Sequence, residues 1–306
     1  MSANRIVLTG SSGLIGTSLV RSLQRNRIST ITLSRRPSPS APGTKVWDPY
    51  AGVPISPGAL EGTTAAVHLS GANLAGHRWT SAYKREIRDS RITPTRALAT
   101  MLATLQPKPA VLVSASAIGI YGDQGDEVLT EASPSASGFL PELCLEWEEA
   151  TQPAADAGIR VVHLRFGVVL TPEGGALAKM LPTFRAGLGG KLGSGRQWIS
   201  WIALPDAIRI IEFALQTASL SGPINLVAPN PVTNSDFTRA LGRALHRLAL
   251  LRVPAFALRL AIGQMAQDTI LGSQRVLPAR LSAAGFNFEY PEIEAALEAV
   301  LAPAKQ

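Results

Sequence analysis

The segment Thr9-Gly10-Ser11-Ser12-Gly13-Leu14-Ile15-Gly16 spaces three glycines as G-x-x-G-x-x-G. It follows an apolar run, Arg5 to Leu8, and opens onto Leu14, Ile15, Leu19, Val20 and Leu23 at helical spacing. A strand, a turn and a helix are expected there. Gly10 permits the tight turn, Gly13 lets the backbone approach a pyrophosphate, and Gly16 allows the helix to pack closely on the strand. The amides around Ser12, Leu14 and Ile15 then belong to a helix N-terminus, whose dipole favours an anion. The glycines alone are also compatible with an ordinary turn; their place between a strand and a helix favours a dinucleotide. A second apolar run, Ile31 to Leu33, ends in Ser34-Arg35-Arg36. An acidic residue there would accept hydrogen bonds from ribose hydroxyls, whereas two guanidinium groups suit a 2′-phosphate. The spacing therefore favours NADP(H) over NAD, the alternative being a solvated pair of arginines.

Other residues could face a substrate. Asn73 and His77 follow the fourth apolar run, and Lys179, Arg185, Arg196, Gln197, Trp198 and Trp201 punctuate a glycine-rich stretch after Gly167. Aromatic rings can wall a cleft and cations can receive a phosphate or carboxylate; equally, the tryptophans could anchor two domains and the cations be solvated. His163 lies in an apolar run and is expected as a satisfied core histidine. His246, on an expected helix Thr238 to Leu250, has no partner pattern for a metal. No metal site is expected. Cys144, the single cysteine, falls in an apolar helical phase and is expected as an inert hydrophobe.

The elements that would position these residues alternate. Short apolar runs at Arg5–Leu8, Ile31–Leu33, Lys45–Trp47, Ala65–Leu69, Ala110–Val113 and Val161–Phe166 are separated by segments able to hold helices. Helices are expected at Ser81–Leu105, kinked at Pro94, and at Glu142–Ala155. This predicts an α/β protein with a Rossmann doubly wound parallel sheet. The expected organisation is a dinucleotide domain over residues 1–166, to which a helix at 204–216 returns, and a smaller, mostly helical substrate domain over 167–306. Gly167 to Trp201 is expected to be loop-rich, and RRPSPSAPG a mobile loop.

Composition narrows the function. The chain has 306 residues and a net charge of +7, but its cations form no run interleaved with aromatics, so no nucleic-acid partner is expected and the excess charge suits anionic ligands. Arg209, Glu212 and Arg259 interrupt the longest apolar stretches, so no membrane span is expected. One cysteine and a start without the pattern of a signal peptide predict a cytoplasmic protein. The oligomeric state is left open.

The motifs GSSGLIG, SRR, VWDP, HLSGANLAGHRW, KREIRDSR, SASAIGIYG, GVVLTPEGGALAKMLPTFRAGLGGKLGSGRQWISW, NLVAPNPVTN and GSQRVLPARLSAAGFNFEYP, spread over nearly the whole chain, resemble those of the atypical extended short-chain dehydrogenases, the epimerase family protein group. The resemblance implies an NADP-binding Rossmann domain and a small substrate domain, with no settled substrate. It implies that Ser34 and Arg35 bind the 2′-phosphate, that Leu69, Ser70 and Gly71 pass the adenosine, and that Glu86, Arg91 and Ser114 contribute to the nucleotide site. Arg165, at a strand end, would face the cofactor or close a surface pair.

The superfamily places a Ser or Thr after its fifth strand and a Tyr-x-x-x-Lys on the next helix, the lysine lowering the tyrosine pKa for proton transfer. This chain has Ser116 and Tyr121 as candidate catalytic groups, but Phe139 and Leu143 where that Tyr and Lys would fall. Ala117 takes the usual spacing of the hydroxyl from Tyr121. Two functions follow: an NADP(H)-dependent oxidoreductase or epimerase-like enzyme acting on a small polar substrate, or a module that binds or senses NADP(H) without turnover.

Overall fold

The computed structural model describes residues 5–36, 43–51, 55 and 57–302. Positions 37–42 of the expected mobile loop lie outside them. The central sheet has strands β1 (Arg5–Thr9), β2 (Ser29–Ser34), β3 (Lys45–Val46), β4 (Ala65–His68), β5 (Val111–Ala117), β6 (Arg160–Phe166) and β7 (Gly222–Leu226). All seven are parallel, in the order β7-β6-β5-β4-β1-β2-β3. Val7, Leu8, Ala66, Val67, Leu112 and Val113 are buried on both faces of the middle strands. That explains why these strands read as continuous apolar runs without alternation. The order of connection reverses between β1 and β4, the switch point at which open α/β sheets bind ligands.

Helix α1 (Leu14–Arg25) turns Gly16, Leu19 and Leu23 onto the sheet. Helix α2 (Ser81–Ala103) starts at Thr80, whose side chain accepts from the Tyr83 amide, and continues through Pro94 as one element. The expected single helix at 142–155 is two: α3 (Phe139–Glu149) and α4 (Gln152–Asp156). Pro153 supplies no amide to continue the ladder, and the Thr151 hydroxyl donates to the Glu148 carbonyl in the gap.

The glycine-rich stretch is more ordered than expected. It contains strand Val168–Leu170, helix α5 (Gly175–Arg185), strand Gly190–Leu192 and two short strands at Trp198–Ile199 and Trp201–Ala203. Helix α6 (Leu204–Gln216) returns to pack on α1, and β7 then completes the sheet.

Helix α7 (Asn234–Ala244) stops six residues short of the expected end at Leu250. His246 adopts φ 53, and the amides of His246 and Arg247 donate to the Arg243 and Gly242 carbonyls, a double closure that terminates the helix. Helix α8 (Ala255–Ile262) follows the short strand Leu251–Val253, which pairs with Gly190–Leu192. Among the described residues, no helix is long and apolar enough to cross a membrane.

Close helix–strand packing makes Gly16 the least replaceable residue of α1. A Cβ there would lie 2.1 Å from the Gly10 carbonyl oxygen and 2.8 Å from Ser11 Cα, both backbone atoms. Gly16→Ala is expected to cost about 1–3 kcal/mol or more in denaturant unfolding, whereas exposed Ser12→Ala should stay within about 0.5 kcal/mol of wild type. Equal midpoints for the two variants would overturn this packing argument.

Candidate functional site

The turn after β1 and the exit of β4 meet at the switch point. Gly10 has φ +72, and a Cβ on it would stand 2.6 Å from the Leu69 carbonyl carbon and 2.9 Å from the Ser70 nitrogen. Both the backbone conformation and the close approach require glycine. Gly13 precedes α1 without a side-chain cap, and no acidic residue occupies the first turn. The first helical bond comes from Thr17 to the Gly13 carbonyl, so the amides of Leu14, Ile15 and Gly16 have no acceptor within the helix. Ser12 and Gly13 beside them are exposed. At the end of β2, Ser34 is half-buried and Arg35 and Arg36 are exposed; among the described residues neither arginine forms an ion pair. The segment after β4 is held from α2: Ser90 Oγ accepts from the Ala72 amide at 3.0 Å, and Arg91 donates to the Ala72 and Ile87 carbonyls, each at 3.0 Å.

Arg91 is thus a brace beneath Gly71, buried with its guanidinium 5.0 Å from the Trp147 ring. Burial lowers its pKa to about 10. Next to it, Thr95 Oγ1 donates to the Arg91 carbonyl at 2.6 Å and accepts from Trp147 Nε1 at 3.0 Å. Because its single proton is committed, the contact at 2.9 Å from His68 Nε2 must be donated by the imidazole, and Nδ1 then accepts from Thr9 Oγ1 at 2.7 Å. His68 is therefore the neutral Nε2–H tautomer, and complete burial pushes its pKa down to about 3.

A cavity of about 190 Å³ opens beside the C-terminal ends of β5 and β6. Apolar residues, including Ile118, Leu140, Leu143 and Phe166, form much of its wall, while Arg91, Asp268, Thr269 and Gln274 bring polar groups. Leu143 is buried here, at the position where the superfamily has lysine. Phe139 packs edge-on against Trp79 at 5.2 Å, with the Lys84 ammonium 4.9 Å from its ring. Cys144 also lines the cavity, but burial pushes its thiol up to about 12, so it carries no thiolate at neutral pH.

The hydroxyls expected to act in catalysis are engaged elsewhere. Arg165 makes two bonds to the Glu148 carboxylate, Nε–Oε1 at 2.8 Å and Nη2–Oε2 at 2.9 Å, and its Nη1 donates to the Tyr121 hydroxyl at 2.9 Å. Tyr121 in turn donates to Asn225 Oδ1 at 2.7 Å, and Ser116 donates to Glu148 Oε1 at 2.6 Å. Tyr121 is fully buried and Ser116 nearly so, and neither lines the cavity. Burial raises the Tyr121 pKa against the opposing effect of Arg165. Burial alone would also raise the Glu148 carboxyl, but the hydrogen bonds and charge of Arg165 hold it below its ordinary value. Arg165 therefore does not close a surface pair: it is a buried clamp.

The other expected residues are dispersed. Ser114 is fully buried within β5. Trp201 belongs to the main core, with Nε1 donating to the Asn230 carbonyl, so it is no cleft wall. Trp198 is half-buried and donates to Asp126 Oδ1 under the Arg275 guanidinium. Asn73 Oδ1 accepts from the Ala75 amide, while Lys179 on α5 donates to the Ala75 carbonyl. Glu86, Arg185 and Arg196 are exposed. His163 is partnered as expected, its Nε2 lying 2.9 Å from Thr151 Oγ1. Sequence reasoning missed Glu148, Thr95, Asn225 and Gln274. A histidine inside the buried run Ala65–His68 was the one available signal of a polar network.

A seven-stranded parallel sheet with a glycine turn at its switch point defines a Rossmann-type α/β protein. Residues 6–227 match the model of the NAD dependent epimerase/dehydratase family, and the chain belongs to that family. Residues 253–300 match a domain of unknown function. The chain is 45% identical over 296 residues to an epimerase family protein of Mycobacterium bovis, covering 96% of this chain and 97% of that one. It is 38% identical to the chloroplastic SDR39U1 homolog of Arabidopsis thaliana, covering 97% and 86%. The crystal structure of human epimerase family protein SDR39U1 (isoform 2) with NADPH superposes with a TM-score of 0.89 at 32% identity, covering 97% of this chain and 98% of that one.

Two consequences are measurable. An unfolded chain protonates His68 near pH 6.5 and the native protein only near 3, so between these values the unfolded state binds the extra proton and stability falls as pH falls. Replacing His68 by Gln should reduce the slope of unfolding free energy against pH, between about pH 4 and 6, by about 1.4 kcal/mol per unit; an unchanged slope would refute the locked neutral ring. His163, whose pKa burial also lowers, supplies part of the slope that persists. Tyr121→Phe should destabilise by about 1–3 kcal/mol, because it leaves the Asn225 and Arg165 groups short of a partner. A thermal midpoint equal to wild type would contradict that.

Proposed function

We propose that this chain binds NADP(H) at the β1–α1 turn and acts as an oxidoreductase or epimerase-like enzyme on a small polar substrate. The observation that carries the reading is the close-packed turn at Gly10 and Gly13, which leads into a helix without a side-chain cap or an acidic residue in its first turn. The amides of Leu14, Ile15 and Gly16 would hold the pyrophosphate, with Ser12 beside them. Ser34, Arg35 and Arg36 would hold the 2′-phosphate, and Leu69, Ser70 and Gly71 would flank the adenosine. When bound, NADP(H) supplies hydride transfer. The cavity at the ends of β5 and β6 would receive the substrate, its apolar wall excluding water and its polar side presenting Arg91, Asp268, Thr269 and Gln274.

In this reading Ser116 and Tyr121 are positioning residues. They hold β5 and the turn after it through Glu148, Arg165 and Asn225. Asp268 takes the place of the missing relay as the group able to exchange a proton at the cavity, since the Thr269 hydroxyl already donates to the Met265 carbonyl. A second reading, an NADP(H)-binding module without turnover, is favoured by one feature: Phe139 and Leu143 stand where the proton relay would be, and neither can ionise. The free, buried thiol of Cys144 suits a reducing compartment, and the cytoplasm is the location this reading assigns.

NADPH should bind more tightly than NADH. Arg35→Ala combined with Arg36→Ala should narrow the preference, each well-formed pair contributing about 1.5–3 kcal/mol. Equal affinities in the parent protein would remove the assignment. Turnover is to be sought with NADPH across carbonyl compounds and nucleotide sugars; Asp268→Asn should lower it about a hundredfold if this carboxylate transfers the proton. Phe139→Tyr with Leu143→Lys should lose stability without gaining rate, since the lysine would be buried. Absence of turnover on every compound favours the second reading.

A further inference from the structure

The C-terminal part of the chain carries a second recess that the proposed dinucleotide site does not use. Its volume is about 860 Å³, and it lies between α7 and the return segment to Leu251, with Lys191 from the neighbouring strand on its wall. It shares no lining residue with the cavity at the ends of β5 and β6. Its charge is of one sign. From Phe237 to Gln267 there is no acidic residue but five arginines, Arg239, Arg243, Arg247, Arg252 and Arg259. Lys191, Arg239, Arg243, His246 and Arg247 line the recess. Arg239 is paired with Asp236 at 2.8 Å, and Arg247 donates from Nε to the Arg185 carbonyl at 3.1 Å. Among the described residues, Lys191 and Arg243 have no ion-pair partner.

A separate observation points to a ligand. Thr238 is 3% exposed and lines this recess, yet its hydroxyl is one of two buried side-chain polar atoms without a hydrogen-bond partner among the described residues. Such a group carries a desolvation cost that a bound acceptor would relieve. The backbone is also committed to the shape. His246 holds the left-handed conformation that ends α7, and a Cβ on Gly242 would lie 2.8 Å from the Arg247 carbonyl oxygen. Strain of this kind at a non-glycine residue persists where its surroundings require it. Leu248 and Leu250, 74% and 80% exposed, stand at the rim.

We infer that this recess is a second anion site, which binds the phosphate or diphosphate group of a ligand with an apolar portion. Lys191 and Arg243 pair with the phosphate oxygens, the Thr238 hydroxyl donates to one of them, and the leucines of the rim meet the apolar part. A phosphorylated metabolite and a phospholipid headgroup share this chemistry.

The test uses the full chain with NADPH present at saturation, so that phosphate binding at the dinucleotide site is suppressed. One arm titrates inorganic pyrophosphate by calorimetry; the other pellets the protein with phosphatidic acid–phosphatidylcholine vesicles against vesicles of phosphatidylcholine alone. Pyrophosphate binding that weakens about tenfold or more in Lys191→Ala/Arg243→Ala supports the site with a soluble ligand. Selective pelleting on phosphatidic acid, lost in the same variant, supports it with a lipid. The milder Lys191→Gln/Arg243→Gln pair guards against a folding defect, with NADPH affinity within about twofold of wild type as the control. Absence of both interactions, or binding unchanged in both double variants, overturns the proposal.

Discussion

Arg165 and Glu148 form two parallel hydrogen bonds inside the protein, and much of the site's geometry hangs on that pair. A buried ion pair returns little net stability by itself, because desolvation offsets the attraction. Its structural effect is larger. The carboxylate fixes α3 against β6 and accepts a hydrogen bond from the Ser116 hydroxyl, while the third guanidinium bond orients Tyr121, which in turn holds Asn225 on β7. Removing either charged partner would strand the other in a low-dielectric interior. The hydroxyls nearest to the superfamily's catalytic positions, those of Ser116 and Tyr121, are in this chain committed to holding the sheet together.

The C-terminal part strengthens the same region from outside. Gln274 donates to the Ile118 and Gly122 carbonyls, and Ser273 Oγ donates to the Gly125 carbonyl. Asn225 Nδ2 reaches the Leu277 carbonyl, and Glu131 accepts from the Asn225 amide. The turn after β5, which forms part of the cavity, is thus fixed by residues some 150 positions later in the chain. Catalytic loops positioned by a rigid scaffold are a general solution, and here the scaffold includes the smaller part of the molecule.

The sequence revealed features encoded by neighbours along the chain. The glycine turn, the fully apolar strands and the helix 204–216 all rest on local periodicity or local backbone freedom, and each stands where it was expected. The split at Pro153 and the early end of α7 depend on which amides find partners, and periodicity does not report that. His246 in particular takes a conformation usually left to glycine, so nothing in its residue type marked the end of the helix. The networks were less legible still. Ser116, Tyr121, Glu148, Arg165 and Asn225 share no spacing pattern, and Trp201 reads as an aromatic wall until its complete burial is seen. The resemblance to extended dehydrogenases supplied the positions of Phe139 and Leu143 but not the side chains that surround them.

The placement of β7 has a bearing on synthesis. Gly222–Leu226 closes the sheet beside β6 although more than fifty residues separate the two strands. At about 5–20 residues per second, the emerging N-terminal part waits for seconds with the edge of β6 unpaired. Unpaired strand edges invite pairing with another chain. During that interval the nascent protein is most exposed to misassembly, and the same long-range strand that completes the sheet makes its maturation depend on whatever shields β6 at the ribosome.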